Sequence, residues 1–394
     1  MGLHAVSKFL KEKYSHLIYR EHISLFAHNR IFVDITSFIF KYVFIHGTQT
    51  NVWLDQFMSL MLCFKKHKVD VVPVFDGKAP DAKAEEQKAR RDQRAKTRER
   101  IEEFKRALDF IQPLLEVKVD MKDENVKKYV TVLQTELDTL YKKGAHVPNL
   151  LHSSSCEQAS DCVEEFKLTF EQFSKLTVQH QTMVKQNSSL SEADHQFLRR
   201  LLTACGVSWI HAPSESEAYC CWLVRQKFGV AVLSIDTDCI SHRADVIIND
   251  IDKQTGMISF FNLQELMNEW GLHELQLIDF GILVGCDYNP NSRKNKIGPV
   301  SAIKLLQKHS DIDNIPDLTD ISVLKHEECR RLFQPEYDSK DVHLEYLEAD
   351  EKAIRELVKE RPTLKLEPLL KFCECYRGQN KVVIDENYVD QGQN

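Results

Sequence analysis

Residues 231–238 read Ala-Val-Leu-Ser-Ile-Asp-Thr-Asp. A short apolar run without polar alternation is the kind of strand that a parallel sheet buries on both faces, and here it ends in Asp236 and Asp238. The pattern recurs. Ile31-Phe-Val33 runs into Asp34, and Val71-Val-Pro-Val-Phe75 runs into Asp76. Val207-Ser-Trp-Ile210 leads through His-Ala-Pro-Ser to Glu215 and Glu217. Helical patterns separate these runs. Residues 51–66 are amphipathic, and Ser191-x-x-Asp194 reads as a capping box opening a helix that carries Leu198, Leu201 and Leu202 and stops at Gly206. Strand–helix alternation predicts an α/β fold, a twisted, mostly parallel sheet flanked by helices. Ligands bind such sheets at the carboxyl ends of the strands, which is where these acids fall.

The 394 residues are 43% hydrophobic and 28% charged, with 13 Gly and 11 Pro, which excludes collagen-like, low-complexity and wholly disordered chains. No apolar run approaches the ~20 residues that span a bilayer. The N-terminus lacks an apolar signal core, and Val6 stands where a myristoylation pattern needs Ser or Thr. Eleven cysteines without CxxC spacing predict buried, reduced thiols and no zinc site. A soluble intracellular protein is expected.

The formal charge of −7 looks unsuited to a nucleic-acid partner, but charge is sorted by location. From Lys83 to Arg106, ten basic residues face six acids. The stretch from about 84 to 189 reads as helical, with helices near 84–108, 123–143 and 157–186 and a His152-Ser-Ser-Ser-Cys156 break. Asp76 and Glu215 stand 139 positions apart, far more than one crossover needs. An insertion standing off the sheet is predicted.

Seven acids remain at strand ends or in motifs: Asp34, Asp76, Glu215, Glu217, Asp236, Asp238 and Asp287. Carboxylates at this density repel one another unless a hard cation is present. Two Mg²⁺ ions about 3.5–4 Å apart can clamp a phosphodiester, activating water on one side and stabilising the leaving oxygen on the other; Mn²⁺ accepts the same oxygen donors. Two such ions would bring the net charge from −7 to −3. No P-loop or nucleophile-elbow motif competes with this reading.

These motifs resemble the flap endonuclease branch of the structure-specific 5′ nucleases. The resemblance rests on the Met-Gly-Leu start, Phe32-Val-Asp34, Val74-Phe-Asp-Gly-Lys-Ala-Pro80, Ala212-Pro-Ser-Glu-Ser-Glu-Ala218, Ser234-Ile-Asp-Thr-Asp-Cys239 and Gly285-Cys-Asp-Tyr288. It implies a PIN-like 5′-nuclease fold with a helical arch and a C-terminal helix–two-turn–helix element, and it makes the seven acids metal ligands. Lys83 and Arg90 match the family's basic pair at the scissile phosphate. Their spacing of seven predicts one face of one helix, two turns apart. Phe40 matches an aromatic that stacks on a base, and Gly2 a small residue lying near DNA. Asn295-Lys-Ile-Gly-Pro-Val-Ser-Ala302 resembles the element that holds duplex through backbone amides and K⁺. Lys296 replaces its first glycine, and Val300-Ser301 replace basic residues, so phosphate contacts fall instead to Arg293, Lys294, Lys296 and Lys304 around Gly298.

The resemblance divides the chain into a nuclease region with the start of the arch (1–107), a helical insertion extending the arch (108–189), a second nuclease region (190–290), a C-terminal helical region (291–380) and a tail (381–394). The long insertion and altered C-terminal element resemble divergent versions in large DNA viruses. The implied activity is metal-dependent cleavage of 5′ flaps or related branched DNA by a monomer at an intracellular site of replication, the nucleus or a viral replication site. A Holliday-junction resolvase dimerising on junctions, a 5′ exonuclease, and a non-catalytic DNA-binding scaffold are the rival readings. Gln134-x-x-Leu137-x-x-Leu140-Tyr141 loosely resembles a sliding-clamp peptide, with Leu in place of the first aromatic.

Overall fold

The computed structural model describes residues 3, 5–115, 119–120, 123–141, 151–153, 164–166, 168–289, 297–316, 318 and 324–376. Gly2, Arg293, Lys294, Lys296 and the 381–394 tail lie outside the described residues. The chain forms two compact units, one of residues 1–42, 50–87 and 190–394, the other of residues 43–49 and 88–189.

Helix α1 (Val6–Lys13) and strand β1 (Tyr19–His22) lead to β2 (Arg30–Asp34), then α2 (Ile35–His46), α3 (Val52–Lys66) and β3 (Asp70–Phe75). Ile31, Phe32, Val33, Val71, Val72 and Val74 are all buried, as continuous apolar strands require. Next come α4 (Ala84–Ile111), β4 (Val119–Asp120), α5 (Glu124–Tyr141), β5 (Leu151–Ser153), β6 (Glu164–Phe166) and α6 (Phe170–Gln186). The chain continues with α7 (Glu192–Ala204), β7 (Ile210–His211), α8 (Ser216–Arg225), β8 (Ala231–Leu233), the short α9 (Asp238–Ser241), and the hairpin β9 (Val246–Asp252) and β10 (Met257–Asn262). It ends with α10 (Leu263–Trp270), α11 (Glu274–Val284), α12 (Pro299–His309), α13 (His326–Phe333), α14 (Glu351–Glu360) and α15 (Leu366–Tyr376).

The main sheet has the order β1-β10-β9-β8-β2-β3-β7. Strands β9, β8, β2, β3 and β7 are mutually parallel, and β10 and β1 add an antiparallel edge. Asp34 closes β2, Asp76 follows β3 and Asp236 follows β8, so parallel registration brings their carboxyl ends to one edge.

Three local expectations change. The strand expected over 207–210 narrows to Ile210–His211, because Gly206 at φ +65° turns the chain and Val207 N still donates to Leu202 O in the last turn of α7. In the second unit, the helix expected over 157–186 starts only at Phe170. The Thr169 hydroxyl accepts from Gln172 N at 3.3 Å while Thr169 N donates to Gln172 Oε1 at 2.9 Å, a reciprocal cap that fixes the start. A three-stranded antiparallel sheet, β4-β6-β5, also forms in this unit, with β6 inside the span expected as helix and β4 and β5 outside the expected helices.

The second unit has its own core, built from Phe104, Leu108, Ile111, Val130, Leu133, Leu137 and Leu176. Within it, Glu136 is 2% exposed and takes Arg100 in a bidentate pair at 2.6 and 2.8 Å, with Gln179 Nε2 donating at 2.9 Å. Leu137 of the clamp-like segment belongs to this core, while Leu140 is exposed.

A candidate metal-binding acid cluster

The loop after β3 approaches the N-terminus of α8. Gly77 N donates to Ser214 O at 2.6 Å, and a Cβ at Gly77 would meet Ala212 O at 2.2 Å, so only glycine permits the approach. Asp76 Oδ1 thereby accepts from Ser216 N at 2.8 Å, capping α8 from a distant strand, while Oδ2 accepts from Thr36 Oγ1 at 2.5 Å. Asp34, 3% exposed, accepts from Ser216 Oγ at 2.9 Å and from Ser234 Oγ at 2.8 Å. Burial and the neighbouring Asp76 push its carboxyl up to about 6, against the pull of those two hydroxyls.

Asp236 and Asp238 bend around the start of α9, where Asp238 N donates to Asp236 Oδ1 at 3.0 Å and Asp236 N donates to Ser234 Oγ at 3.0 Å. Burial raises both carboxyls, and Asp236 raises Asp238 further. Both carboxylate oxygens of Asp238 are buried without a hydrogen-bond partner. On α8, burial raises Glu217 well above the usual range, with Lys83 pulling it down and Glu215 pushing it up.

Lys83 sits among these acids. It is 7% exposed and lies in the 3₁₀ turn Asp81–Lys83, one residue before α4. That position differs from the expected shared helix face with Arg90. The Pro80–Asp81 entry keeps Lys83 in the turn, whereas Arg90 is an exposed residue of α4 in the second unit. The Lys83 ammonium contacts Glu215 and lies 3.3 Å from Glu217 and 3.7 Å from Asp287. Burial alone would lower its pKa, but Glu217 and Glu215 outweigh burial and hold it charged. The Tyr288 ring packs 5.1 Å from Lys83 Nζ, and Tyr288 Oη donates to Glu215 Oε2 at 2.5 Å.

The structure thus gathers Asp34, Asp76, Glu215, Glu217, Asp236, Asp238 and Asp287 into one electrostatically linked set. Among the described residues, no three His, Cys, Asp or Glu are drawn together as a ready-made ligand set for one ion. The fit to a hard divalent cation lies in donor type and charge. Lys83 brings one positive charge to seven carboxylates, and Asp238 keeps two buried oxygens unpartnered. Ser216, Ser234, Thr36 and Tyr288 were not singled out from the sequence. Ser216, Ser234 and Tyr288 lay within the quoted motifs, each one or two positions from an acid.

Phe40 is half-buried on α2 beside the buried Phe38. Gly298 is the N-cap of α12 with Pro299 in its first turn, and Lys304 is exposed on that helix. The K⁺ expectation rests partly on residues 290–296, which lie outside the described residues. Among the described residues, no helix is long and apolar enough to cross a membrane.

Residues 1–97 match the XPG N-terminal domain and residues 206–287 match the XPG I-region. A probable RAD2-like endonuclease 369L of Invertebrate iridescent virus 6 is 24% identical over 359 residues, covering 84% of this chain and 79% of that protein. A flap endonuclease 1 of Methanopyrus kandleri is 31% identical over 208 residues, covering 48% of this chain and 59% of its own length. The catalytic core of Rad2 in complex with DNA substrate superposes with a TM-score of 0.59 at 14% identity, covering 94% of this chain and 98% of that one. The matched segments supply the strands, the turns and the acids of the cluster, and over them the chain is similar to the XPG/Rad2-like nucleases.

Proposed function

We propose that this chain is a divalent-metal-dependent, structure-specific DNA endonuclease that cuts 5′ flaps or related branched DNA. The observation that carries the reading is the buried Lys83 ammonium held among Glu215, Glu217 and Asp287 at the edge where Asp34, Asp76, Asp236 and Asp238 converge. Relatives named RAD2-like endonuclease and flap endonuclease 1 support a nuclease. Two Mg²⁺ ions, or Mn²⁺ in their place, held by these acids would activate water and stabilise the leaving oxygen.

The chain's own residues do the rest. Ser216, Ser234 and Thr36 hold Asp34 and Asp76 in fixed orientations by donating to them. Tyr288 does the same for Glu215. Lys83 offers its ammonium to a phosphate oxygen, and Arg90 is assigned to phosphate binding on α4. Phe40 stacks on a base. Lys304 and the amides at Gly298 contact duplex phosphates. In-line attack by water leaves a 5′-phosphate. The chain acts as a monomer on branched DNA at a site of DNA replication.

A panel of labelled 5′ flap, 3′ flap, bubble, four-way junction, nicked duplex and single strand tests this. Mg²⁺-dependent cutting at the base of the 5′ flap is expected. Paired cuts in the four-way junction by a dimer would move the assignment to a resolvase, and binding without cutting of any substrate would overturn catalysis.

A further inference from the structure

A cleft of about 390 Å³ opens beside Asp236, between α1 and the β9–β10 hairpin. Its volume lies in the range of small-molecule sites, roughly 300–1,000 Å³. One wall is the segment from Ser234 to Thr237, so the cleft shares Asp236 with the acid cluster. The apolar surfaces come from Leu10 on α1 and Phe261 on β10, which suit a flat aromatic ligand. Polar groups are set among them: Lys11 on the rim and Asn249, Ser259 and Asp250 on the hairpin, with Asp250 paired to Lys41 at 3.4 Å.

Asn249 is placed there by an irregularity in the sheet. Ser259 pairs with Asp250 and Phe260 pairs with Ile248, leaving Asn249 as an extra residue in β9. Such bulges re-aim a side chain and recur next to active sites. Its Oδ1 is shielded from solvent and has no hydrogen-bond partner, a cost that a bound ligand with a donor would remove. An apolar slot with an amide, hydroxyls and a rim lysine is the donor–acceptor set that recognises a nucleoside: an apolar face for the base, an amide for its edge, a cation for phosphate.

We infer that this cleft takes up the unstacked base of the nucleotide next to the phosphodiester that is cut, with Asn249 contacting the base edge and Lys11 an adjacent phosphate. The inference rests on the nuclease reading above and adds to it a base-sensing subsite on the α1 side of Asp236.

Two readouts separate this inference from the nuclease reading. The first is single-turnover cleavage of branched substrates carrying each of the four bases, or an abasic site, at the nucleotides flanking the cut. Wild type should discriminate between bases by about fivefold or more, with the abasic substrate slowest, and Asn249→Ala should compress that range. The second is the fluorescence of 2-aminopurine at the same positions on binding in EDTA. It should change with wild type and change less with Asn249→Ala or Ser259→Ala. Equal cleavage of every base and the abasic substrate, with an unchanged 2-aminopurine signal, would overturn the subsite and leave the nuclease standing. A fluorescence change lost in both variants, without cleavage of any substrate, would support the subsite and overturn the nuclease reading.

Discussion

Tyr288 Oη donates a 2.5 Å hydrogen bond to Glu215 Oε2 while its ring lies 5.1 Å from the ammonium of Lys83, which also contacts Glu215. One aromatic side chain therefore contacts both partners of a buried ion pair in the acid cluster. Hydrogen bonds to charged groups contribute about 1.5–3 kcal/mol. Tyr288→Phe should keep the ring packing and lose the bond to Glu215, lowering kcat/KM about tenfold. It should also weaken divalent-cation binding measured by calorimetry without DNA. Unchanged cation affinity and kcat/KM in Tyr288→Phe would refute a positioning role.

Lys83 neutralises part of the cluster before any metal binds. Breaking a buried ion pair by removing one partner costs about 3–5 kcal/mol. Lys83→Met should lower the unfolding midpoint of the metal-free protein, and millimolar Mg²⁺ should recover a large part of the loss by supplying positive charge to the same acids. Equal midpoints for wild type and Lys83→Met in EDTA would contradict this. The same variant should lose about two to three orders of magnitude in kcat, the scale of one preorganised electrostatic group.

His242 gives the pH dependence. It is 2% exposed, its ring packs against Phe333 at 4.8 Å, and neither ring nitrogen has a side-chain partner. Burial, reinforced by Lys83, pulls its pKa down to about 3. An unfolded histidine takes a proton near pH 6.5, so below that pH the unfolded state binds the extra proton and stability falls. The contribution is intact above pH 6.5 and is lost progressively towards pH 3. At pH 5 the loss is about 2 kcal/mol. Denaturant midpoints at pH 7 and pH 5 should show this drop for wild type and a smaller one for His242→Leu.

Much of the fold was legible because it rests on strong local patterns. Ile31–Asp34 and Ala231–Asp236 have the continuous apolar character of buried parallel strands, and Ser191 and Asp194 form the reciprocal cap that their spacing predicts. The acids were legible because each follows a strand end or lies in a quoted motif. Their mutual geometry was not, since it depends on a long-range approach, Gly77 against Ala212 and Pro213, that no local pattern encodes. The same holds for Lys83. A spacing of seven suggested one helix face, but Pro80 and the 3₁₀ turn hold Lys83 outside α4, and its burial comes from acids more than 130 positions away. The small sheet of the second unit escaped notice because its strands are two or three residues long.

Arg330 should matter far from the acids. It pairs bidentately with Asp279, 5% exposed in its side chain, at 2.7 Å for each bond, and reaches Asp313 at 2.7 Å. Asp279 Oδ2 also accepts from Ile312 N at 3.0 Å, so α11, α13 and the segment after α12 are tied at one point. Arg330→Ala leaves the Asp279 carboxylate buried and should cost about 3 kcal/mol. Hydrogen exchange in 324–333 should accelerate, and duplex affinity should fall more than the rate of cutting once DNA is bound.

The central claim is that the carboxylates at this sheet edge hold the cations that cut DNA. Asp236→Ala tests it most directly, in single-turnover cleavage of a labelled 5′ flap with Mg²⁺ and with EDTA, beside DNA binding measured in EDTA. The account predicts cleavage by wild type in Mg²⁺ only, no cleavage by Asp236→Ala, and equal DNA affinity for the two proteins. Wild-type turnover by Asp236→Ala in Mg²⁺, or cutting that persists in EDTA, would contradict it.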